Sequence, residues 1–211
     1  MVRLTVDGIK VEVPDGTTLL EAAQKACVKV PTLCAWQGGA APGACRVCVV
    51  EVEGAPRLVA ACNTLVEEGM KVLTHSPRVM AARRMNVELI LAEHECKCLE
   101  CAKNGKCALQ ALAERMGVLN QRFVNEPVGS VAPTRSERII RNDAKCVKCL
   151  RCVKVCADEK KLNIWRWTGS GKYARITVIG DKRLEDTACD FCGKCVEACP
   201  TAALTFKEEQ K

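Results

Sequence analysis

The N-terminal segment alternates apolar and polar residues on both sides of an Asp-Gly pair. Asp7-Gly8 is flanked by two apolar triplets at alternate positions, Val2, Leu4 and Val6 before it and Ile9, Val11 and Val13 after it. Period-two alternation across Asp-Gly predicts a β-hairpin. Thr17 or Thr18 is expected to cap a helix over residues 19–28, and strands are expected within 47–54, 57–62 and 70–74. A first domain is therefore predicted over residues 1–76.

The pattern then changes from period two to helical spacing. Ser76 and Pro77 form a helix start, and apolar residues recur along 76–95, which predicts one long amphipathic helix ending near His94. A second helix is expected over 107–118 and is stopped by Gly117. A second, helical domain is therefore predicted over 77–124, and a link rich in Pro, Gly and Ser (125–138) leads to a third domain over 139–211.

The third domain contains an internal repeat. Residues 146–156 and 189–199 both read C-x2-C-x2-C-x3-C, and a hairpin turning at Gly169–Gly171 is expected between them. In bacterial ferredoxins the fourth cysteine of such a run ligates the other cluster. The repeat therefore predicts two 4Fe–4S clusters. One would be bound by Cys146, Cys149, Cys152 and Cys199, and the other by Cys156, Cys189, Cys192 and Cys195. Ala157 follows the first run where Pro200 follows the second. Zinc is the alternative, but zinc modules favour paired C-x2-C knuckles.

Composition supports metal over disulfides. The 211 residues include 17 cysteines and only 3% aromatic residues. An odd cysteine count, no apolar signal segment at the N-terminus and no apolar run long enough for a membrane span favour a cytoplasmic protein without a membrane span. We therefore expect bound metal to supply the cohesion that an aromatic-poor core lacks.

The first domain carries a second cysteine set. Cys34, Cys45, Cys48 and Cys62 are separated by ten, two and thirteen residues. Plant-type 2Fe–2S ferredoxins use C-x4-C-x2-C and a distant cysteine, so the x2 pair and the distant ligand match while the first gap is longer. Hairpin, helix, cysteine loop and strands also follow the element order of a β-grasp ferredoxin. Cys27 is expected on the first helix, in line with Leu20 and Ala23, as a small buried hydrophobe.

The stretch from 94 to 107 holds five candidate ligands. Cys98, Cys101 and Cys107 provide three thiolates, and the fourth ligand must come from His94 or Cys96. Ligand types favour His94, but the spacing leaves both open.

The four motifs in this order resemble one electron-input module. The chain is similar to the small diaphorase iron–sulfur subunit of NAD(P)-linked, including bifurcating, nickel–iron hydrogenases, and to the corresponding regions of iron-only hydrogenases and of the large iron–sulfur subunit of complex I. The resemblance implies an α+β protein with a β-grasp 2Fe–2S ferredoxin domain, a small helical domain that binds a cluster through one histidine and three cysteines, and a two-cluster bacterial-ferredoxin-like domain. It implies one 2Fe–2S cluster and three 4Fe–4S clusters, the additional one on His94, Cys98, Cys101 and Cys107, and it leaves Cys27 and Cys96 unused.

The resemblance also implies a function. The chain is expected to relay electrons between hydrogenase catalytic subunits, nickel–iron in type, and a flavin- and NAD(P)-binding diaphorase subunit, with a soluble ferredoxin as a further partner. Because the chain ends at Lys211 without the catalytic-cluster domain of iron-only hydrogenases or the large molybdoenzyme-like domain of the complex I subunit, we expect the stand-alone hydrogenase subunit. The same relay in a NAD-linked formate dehydrogenase or a complex I-like assembly is the alternative. No catalytic residues, nucleotide fingerprint or other cofactor-binding residues are found, so we do not expect a substrate to be converted within this chain.

The net charge of +7 does not require a nucleic-acid partner. Four oxidised clusters with their thiolates carry about −7 together, which offsets the side chains. Lys145, Lys148, Lys154 and Lys194, which lie among the cysteines, are expected to stabilise anionic clusters or line a docking surface, with simple solvent exposure as the alternative. A zinc-rich nucleic-acid-binding module is the remote alternative function.

Overall fold

A computed structural model describes residues 1–36, 41–120, 122–123 and 136–207 of the chain. Residues 125–135, the greater part of the predicted link, lie outside the described residues.

The N-terminal hairpin forms as predicted. Strands β1 (Val2–Val6) and β2 (Ile9–Val13) are antiparallel, with Val2 opposite Val13 and Val6 opposite Ile9. Asp7 and Gly8 both have positive φ, 49° and 83°, as a two-residue turn of type I′ requires. The local sequence therefore determines the register of this hairpin.

A mixed five-stranded sheet completes the first unit. Strands β3 (Val49–Val52), β4 (Val59–Ala60) and β5 (Lys71–Leu73) join the hairpin in the order β2-β1-β5-β3-β4, with β1 and β5 parallel and the other pairs antiparallel. Helix α1 (Leu19–Lys25) buries Leu19, Ala22 and Ala23 in the same core as Val6 and Val50. Thr18 is the cap, in a capping box with Glu21. The predicted β-grasp architecture is confirmed.

The prediction that Cys27 is a buried helical residue is wrong. Helix α1 ends at Lys25, and Cys27 has φ 58° and is exposed. Its N–H donates to the Gln24 carbonyl and the Val28 N–H donates to the Ala23 carbonyl, both at 2.9 Å. These two bonds form a Schellman motif, in which the residue after the cap is left-handed and turns away from the helix. Cysteine occupies the position where glycine is usual.

Two helices form the middle unit. Helix α2 (Pro77–Ala92) is capped by Ser76, whose Oγ accepts from the Val79 N–H at 3.3 Å, as predicted. Its buried stripe includes Val79, Arg83 and Val87 at four-residue spacing. Helix α3 (Ala108–Arg115) buries Leu109 and Leu112, which share a buried cluster with Val87. The prediction of two helices is confirmed, each shorter than expected at its ends.

The C-terminal unit pairs strand β6 (Ile139–Arg141) with strand β9 (Leu204–Phe206), antiparallel. Helices α4 (Arg151–Lys160) and α5 (Lys194–Ala198) each begin one residue before the third cysteine of their run. Strands β7 (Trp165–Thr168) and β8 (Arg175–Val178) form the predicted hairpin between the two runs. The buried residues of this unit include Val155, Trp165 and Leu184 together with several cysteines. The cysteines are thus part of the core. Across the described ranges, no helix combines the length and apolarity needed to cross a bilayer.

Candidate metal centres

The four predicted ligand cysteines of the first domain converge beside strand β3. All four are buried: Cys34, Cys45, Cys48 and Cys62. The thiol of Cys34 is hydrogen-bonded to those of Cys45 and Cys62, and Cys62 is also hydrogen-bonded to Cys48. Hydrogen bonds from Cys45 and Cys62 hold the pKa of Cys34 far below its usual value. A buried set of sulfur atoms in mutual contact, one of them readily ionised, fits the ligands of a 2Fe–2S cluster.

The sheet positions this set. Cys48 directly precedes β3 and Cys62 follows β4 by two residues. The Ala61 N–H donates to the Cys48 carbonyl at 3.1 Å, which fixes the two loops to each other. The distant fourth ligand is therefore brought to the x2 pair by strand pairing and not by local spacing.

The repeat builds two separate cavities in the C-terminal unit. The first cavity is lined by four cysteines, Cys146, Cys149, Cys152 and Cys199, and the second cavity by Cys156, Cys189, Cys192 and Cys195. Each contains about 340 Å³ of space between atoms, part of it open to solvent. Each cavity thus collects three cysteines of one run and the last cysteine of the other, which is the exchange predicted from the ferredoxin spacing.

The two runs share one backbone geometry. Lys148 and Phe191 occupy the same place in their runs and have φ of 52° and 54°. Leu150 and Gly193, two residues further on, have φ of 64° and 77° and cap helices α4 and α5. Left-handed backbone at non-glycine residues is costly, so its recurrence at matching positions shows that both loops are held in a shape that directs their cysteines inwards.

The departure at Ala157 leaves Cys156 in place. Helix α4 continues through Ala157 to Lys160, whereas α5 ends at Ala198, before Cys199 and Pro200. Proline restricts the residue before it to extended backbone, which stops the second helix. Cys156 nevertheless lines the second cavity from within α4, so the proline is not needed to position this sulfur.

Burial disfavours ionisation of the cavity cysteines. It raises the pKa of Cys149 and of Cys195 to about 12, and it also raises the pKa of Cys146 and Cys152. Metal ligation requires thiolates, and bound iron supplies the positive charge that compensates for their desolvation. The donor set is therefore buried sulfur that is suited to a positively charged centre.

The stretch from 94 to 107 contains the two candidates for the fourth ligand, His94 and Cys96. His94 has a buried Nδ1 without a hydrogen-bond partner, and burial, with the nearby charge of Lys145, lowers the pKa of its ring. A neutral ring with an unsatisfied nitrogen suits a metal ligand. Burial raises the pKa of Cys96, and the charges of Cys98 and Cys107 raise it further, so Cys96 also lies close to two of the predicted ligands. Its Sγ donates to the His94 carbonyl at 3.4 Å. The assignment of His94 stays a prediction.

Three of the four lysines among the cysteines are in ion pairs. Lys148 contacts Glu93 at 2.7 Å, Lys154 contacts Asp158 at 3.5 Å, and Lys194 contacts Glu159. Each is at least a quarter exposed at its side chain. These lysines are therefore neutralised locally, which weakens the expectation that they compensate the cluster charges.

The cysteine sets do not converge on single ions. Within the described ranges, no group of three or more His, Cys, Asp or Glu side chains is arranged to hold one metal ion. Multi-iron clusters hold their thiolates on different iron atoms, so such ligands need not meet at one point.

Three family models match successive parts of the chain. Residues 1–77 match the 2Fe–2S iron–sulfur cluster binding domain, residues 83–122 the NADH-ubiquinone oxidoreductase-G iron–sulfur binding region, and residues 138–200 the 4Fe–4S dicluster domain. A solved structure of a NAD⁺-reducing [NiFe]-hydrogenase matches 98% of this chain and 87% of its own chain, at 30% identity and a TM-score of 0.90. This chain belongs to the family of iron–sulfur subunits of NAD(P)-linked hydrogenases and NADH–quinone oxidoreductases.

Curated relatives of this iron–sulfur subunit are longer. It is 39% identical over 99% of its length to the NADP-reducing hydrogenase subunit HndD of Solidesulfovibrio fructosivorans, of which it spans 36%. It is 38% identical over 98% of its length to the NADPH-Fe(3+) oxidoreductase subunit alpha of Geobacter sulfurreducens, of which it spans 24%. It is 34% identical over 98% of its length to the mitochondrial NADH-ubiquinone oxidoreductase 78 kDa subunit of Neurospora crassa, of which it spans 28%.

Sequence reasoning missed three arginines beside the cysteine sites. Arg83, on α2, is 1% exposed and donates to the Val49 carbonyl through Nε at 3.0 Å and Nη2 at 2.8 Å. Arg141, 3% exposed, lines the first cavity. Arg151, on α4, donates to the Ala35 carbonyl at 2.6 Å. Their partners are backbone carbonyls 34 or more positions away, so no local pattern could have identified them.

Proposed function

We propose that this iron–sulfur subunit relays electrons through one 2Fe–2S cluster and three 4Fe–4S clusters. The predicted ligands are Cys34, Cys45, Cys48 and Cys62 for the first; His94, Cys98, Cys101 and Cys107 for the second; Cys146, Cys149, Cys152 and Cys199 for the third; and Cys156, Cys189, Cys192 and Cys195 for the fourth. The observation that carries the proposal is the sorting of eight cysteines into two cavities by exchange of the last cysteine of each run. Bound clusters supply one-electron chemistry, and the chain supplies their positions and surroundings.

The first cavity adjoins the 2Fe–2S site. Cys149 belongs to the same buried cluster of side chains as Cys34 and Cys45. Arg151 joins the two units, since its Nη2 donates to the carbonyl of Ala35, the residue after Cys34. An electron on the 2Fe–2S cluster would therefore have the first cavity as a neighbour.

The segment that holds His94, Cys98, Cys101 and Cys107 adjoins the same cavity. Lys103 Nζ donates to the Cys199 carbonyl at 2.5 Å, and the Ala108 N–H, at the start of α3, donates to the Pro200 carbonyl at 3.0 Å. The Glu95 N–H donates to the Ala144 carbonyl at 2.8 Å. With the second cavity joined to it through the exchanged cysteines, the first cavity borders all three other sites. We infer a branched relay with the first cavity at the branch point.

The three predicted domains, 1–76, 77–124 and 139–211, are retained in this proposal, as is a cytoplasmic location. The proposed partners are a flavin- and NAD(P)-binding diaphorase subunit and hydrogenase catalytic subunits, with a soluble ferredoxin as a further electron carrier. The named relatives support this choice, because they include an NADP-reducing hydrogenase subunit and a NAD⁺-reducing [NiFe]-hydrogenase. A NAD-linked formate dehydrogenase or a complex I-like assembly is the alternative setting for the same relay.

Cluster content is tested on the full chain purified without oxygen. We expect about 14 iron atoms per chain, the sum of one two-iron and three four-iron clusters. EPR of the reduced protein should resolve one 2Fe–2S signal and additional 4Fe–4S signals. A Cys149→Ser variant should disturb a 4Fe–4S signal only, and a Cys45→Ser variant the 2Fe–2S signal only. A colourless protein that contains zinc and no iron would reject the relay.

The partner is tested separately on the native complex. Copurification followed by nickel analysis and hydrogen-uptake and formate-oxidation assays separates the two settings. Nickel together with hydrogen-dependent reduction of NAD(P) is the expected result. A complex that oxidises formate and lacks nickel would reject the hydrogenase setting and leave the relay itself intact.

A further inference from the structure

One strand presents different residues to the two otherwise similar cavities. Ile139 and Arg141 are two positions apart on β6, where side chains of alternate residues share a face. Ile139 lines the second cavity and Arg141 lines the first. Each cavity also has four cysteines and one loop of the repeat, so this position is a clear chemical difference between them.

The guanidinium of Arg141 is held against the first cavity. Its Nη1 donates to the carbonyl of Ile176, which also lines that cavity, and its Nη2 pairs with the carboxylate of Asp143. The Arg141 side chain is 3% exposed, whereas that of Asp143 is 25% exposed and does not line the cavity. The Arg141 guanidinium therefore lies on the cavity side of this ion pair, and the carboxylate of Asp143 lies partly towards solvent.

The charges at the second cavity are arranged differently. Lys160 contacts Asp190 at 2.5 Å and Lys194 contacts Glu159, and the lysine side chains are 29% and 44% exposed. Exposed, paired charges are screened by water, whereas a buried charge acts through a medium of lower polarity. The first cavity consequently feels a stronger net positive field than the second.

We propose that Arg141 raises the reduction potential of the cluster in the first cavity above that of the cluster in the second. This rests on the proposed function, because it requires both clusters to be bound. Reduction adds one electron, and so one negative charge, to the cluster. A buried cation beside the cavity stabilises that added charge, while an isoleucine at the matching position does not. Electrons shared between these two clusters would then favour the first cavity.

The test is a redox titration of the full chain, followed by EPR, after iron analysis. Arg141→Gln should lower the ratio of reduced to oxidised first-cavity cluster about tenfold at a fixed potential, equal to about 59 mV for a one-electron couple. Arg141→Lys should retain most of the original potential. Asp143→Asn should move it the opposite way, because it removes the negative partner and leaves the cation. Cys149→Ser identifies which signal belongs to the first cavity.

Arg138→Gln is the matched control. Arg138 lies just before β6 but is exposed, with its guanidinium 5.0 Å from the centre of the Phe191 ring. Its substitution should leave the first-cavity potential unchanged. An unchanged potential in Arg141→Gln with full iron content, or a shift of the same sign in Arg141→Gln and Asp143→Asn, would overturn the proposal. If Arg141→Gln does not assemble its clusters, Asp143→Asn provides the test. A constant or lower first-cavity potential in that variant also overturns the proposal. Absence of iron from the unmodified chain would instead reject the proposed function.

Discussion

Replacement of Cys27 by glycine should stabilise the protein and leave its iron content unchanged. Cys27 is the left-handed residue of the Schellman motif that ends α1, with φ 58° and an exposed side chain. A residue with a Cβ pays roughly 1–2 kcal/mol in this conformation. Glycine avoids that cost but loses roughly 0.5–1 kcal/mol more in conformational entropy on folding. The difference leaves about 0.5–1 kcal/mol in favour of Cys27→Gly.

Cys27→Ala is the matched control, because it removes the thiol and retains the Cβ. In anaerobic thermal ramps at one scan rate, followed by loss of cluster absorbance, Cys27→Gly should raise the midpoint by about 1–4 °C, since a change of 1 kcal/mol moves the midpoint by roughly 2–4 °C in a chain of this size. Cys27→Ala should not move it. Equal midpoints for the two variants would refute the strain argument, and loss of iron from both variants would make Cys27 a candidate ligand.

Three further predictions concern other named side chains. His94→Ala should damage one 4Fe–4S signal in EPR while Cys96→Ala leaves all signals intact, and the reverse result would make Cys96 the ligand. Thr18→Ala should lower the thermal stability of the β-grasp unit by about 1 kcal/mol, because the capping box with Glu21 is lost, whereas Thr18→Ser should retain it. The Asp7 carboxylate is partly buried, which raises its pKa, but hydrogen bonds from Thr74 to the carboxylate outweigh this and lower it. Because the folded pKa lies below the unfolded value, this carboxylate stabilises the fold above about pH 4, and that contribution is lost on further acidification. The Asp7→Asn variant should therefore lose less stability than the unmodified chain when unfolding is measured at decreasing pH.

Local signals in the sequence were reliable wherever short-range geometry decides the structure. The Asp7-Gly8 pair determined the hairpin register, and Ser76 with Pro77 determined the start of α2. The cysteine repeat went further, because its spacing alone predicted which sulfurs share a cavity across tens of residues. The structure groups these sulfurs in the same way, because about one helical turn between the third and fourth cysteines carries the last sulfur away from its own loop. Their assignment as cluster ligands stays a prediction.

Failures came from features without a local signature. The end of α1 was missed because the usual glycine is replaced by Cys27, so the sequence continued to look helical. Arg83 lies in the predicted amphipathic helix over 76–95, yet it is buried, and burial lowers its pKa to about 10 even though the charge of Cys48 acts in the opposite direction. Arginine side chains are usually exposed in folded proteins, so the residue type gave no indication that this one is buried. Only the folded chain shows that the Arg83 guanidinium donates to the carbonyl of Val49, the residue after the predicted 2Fe–2S ligand Cys48.

The cavities explain how a chain with so few aromatic residues can have a core. Aromatic residues make up 3% of the sequence, and the buried side chains of the C-terminal unit are mostly aliphatic residues and cysteines around the two cavities. Such spaces are costly when empty, because the atoms that line them lose packing contacts. Their cysteines also prefer to remain protonated until a positive centre binds. Bound clusters would therefore complete the core as well as carry electrons, which couples folding of this unit to its function.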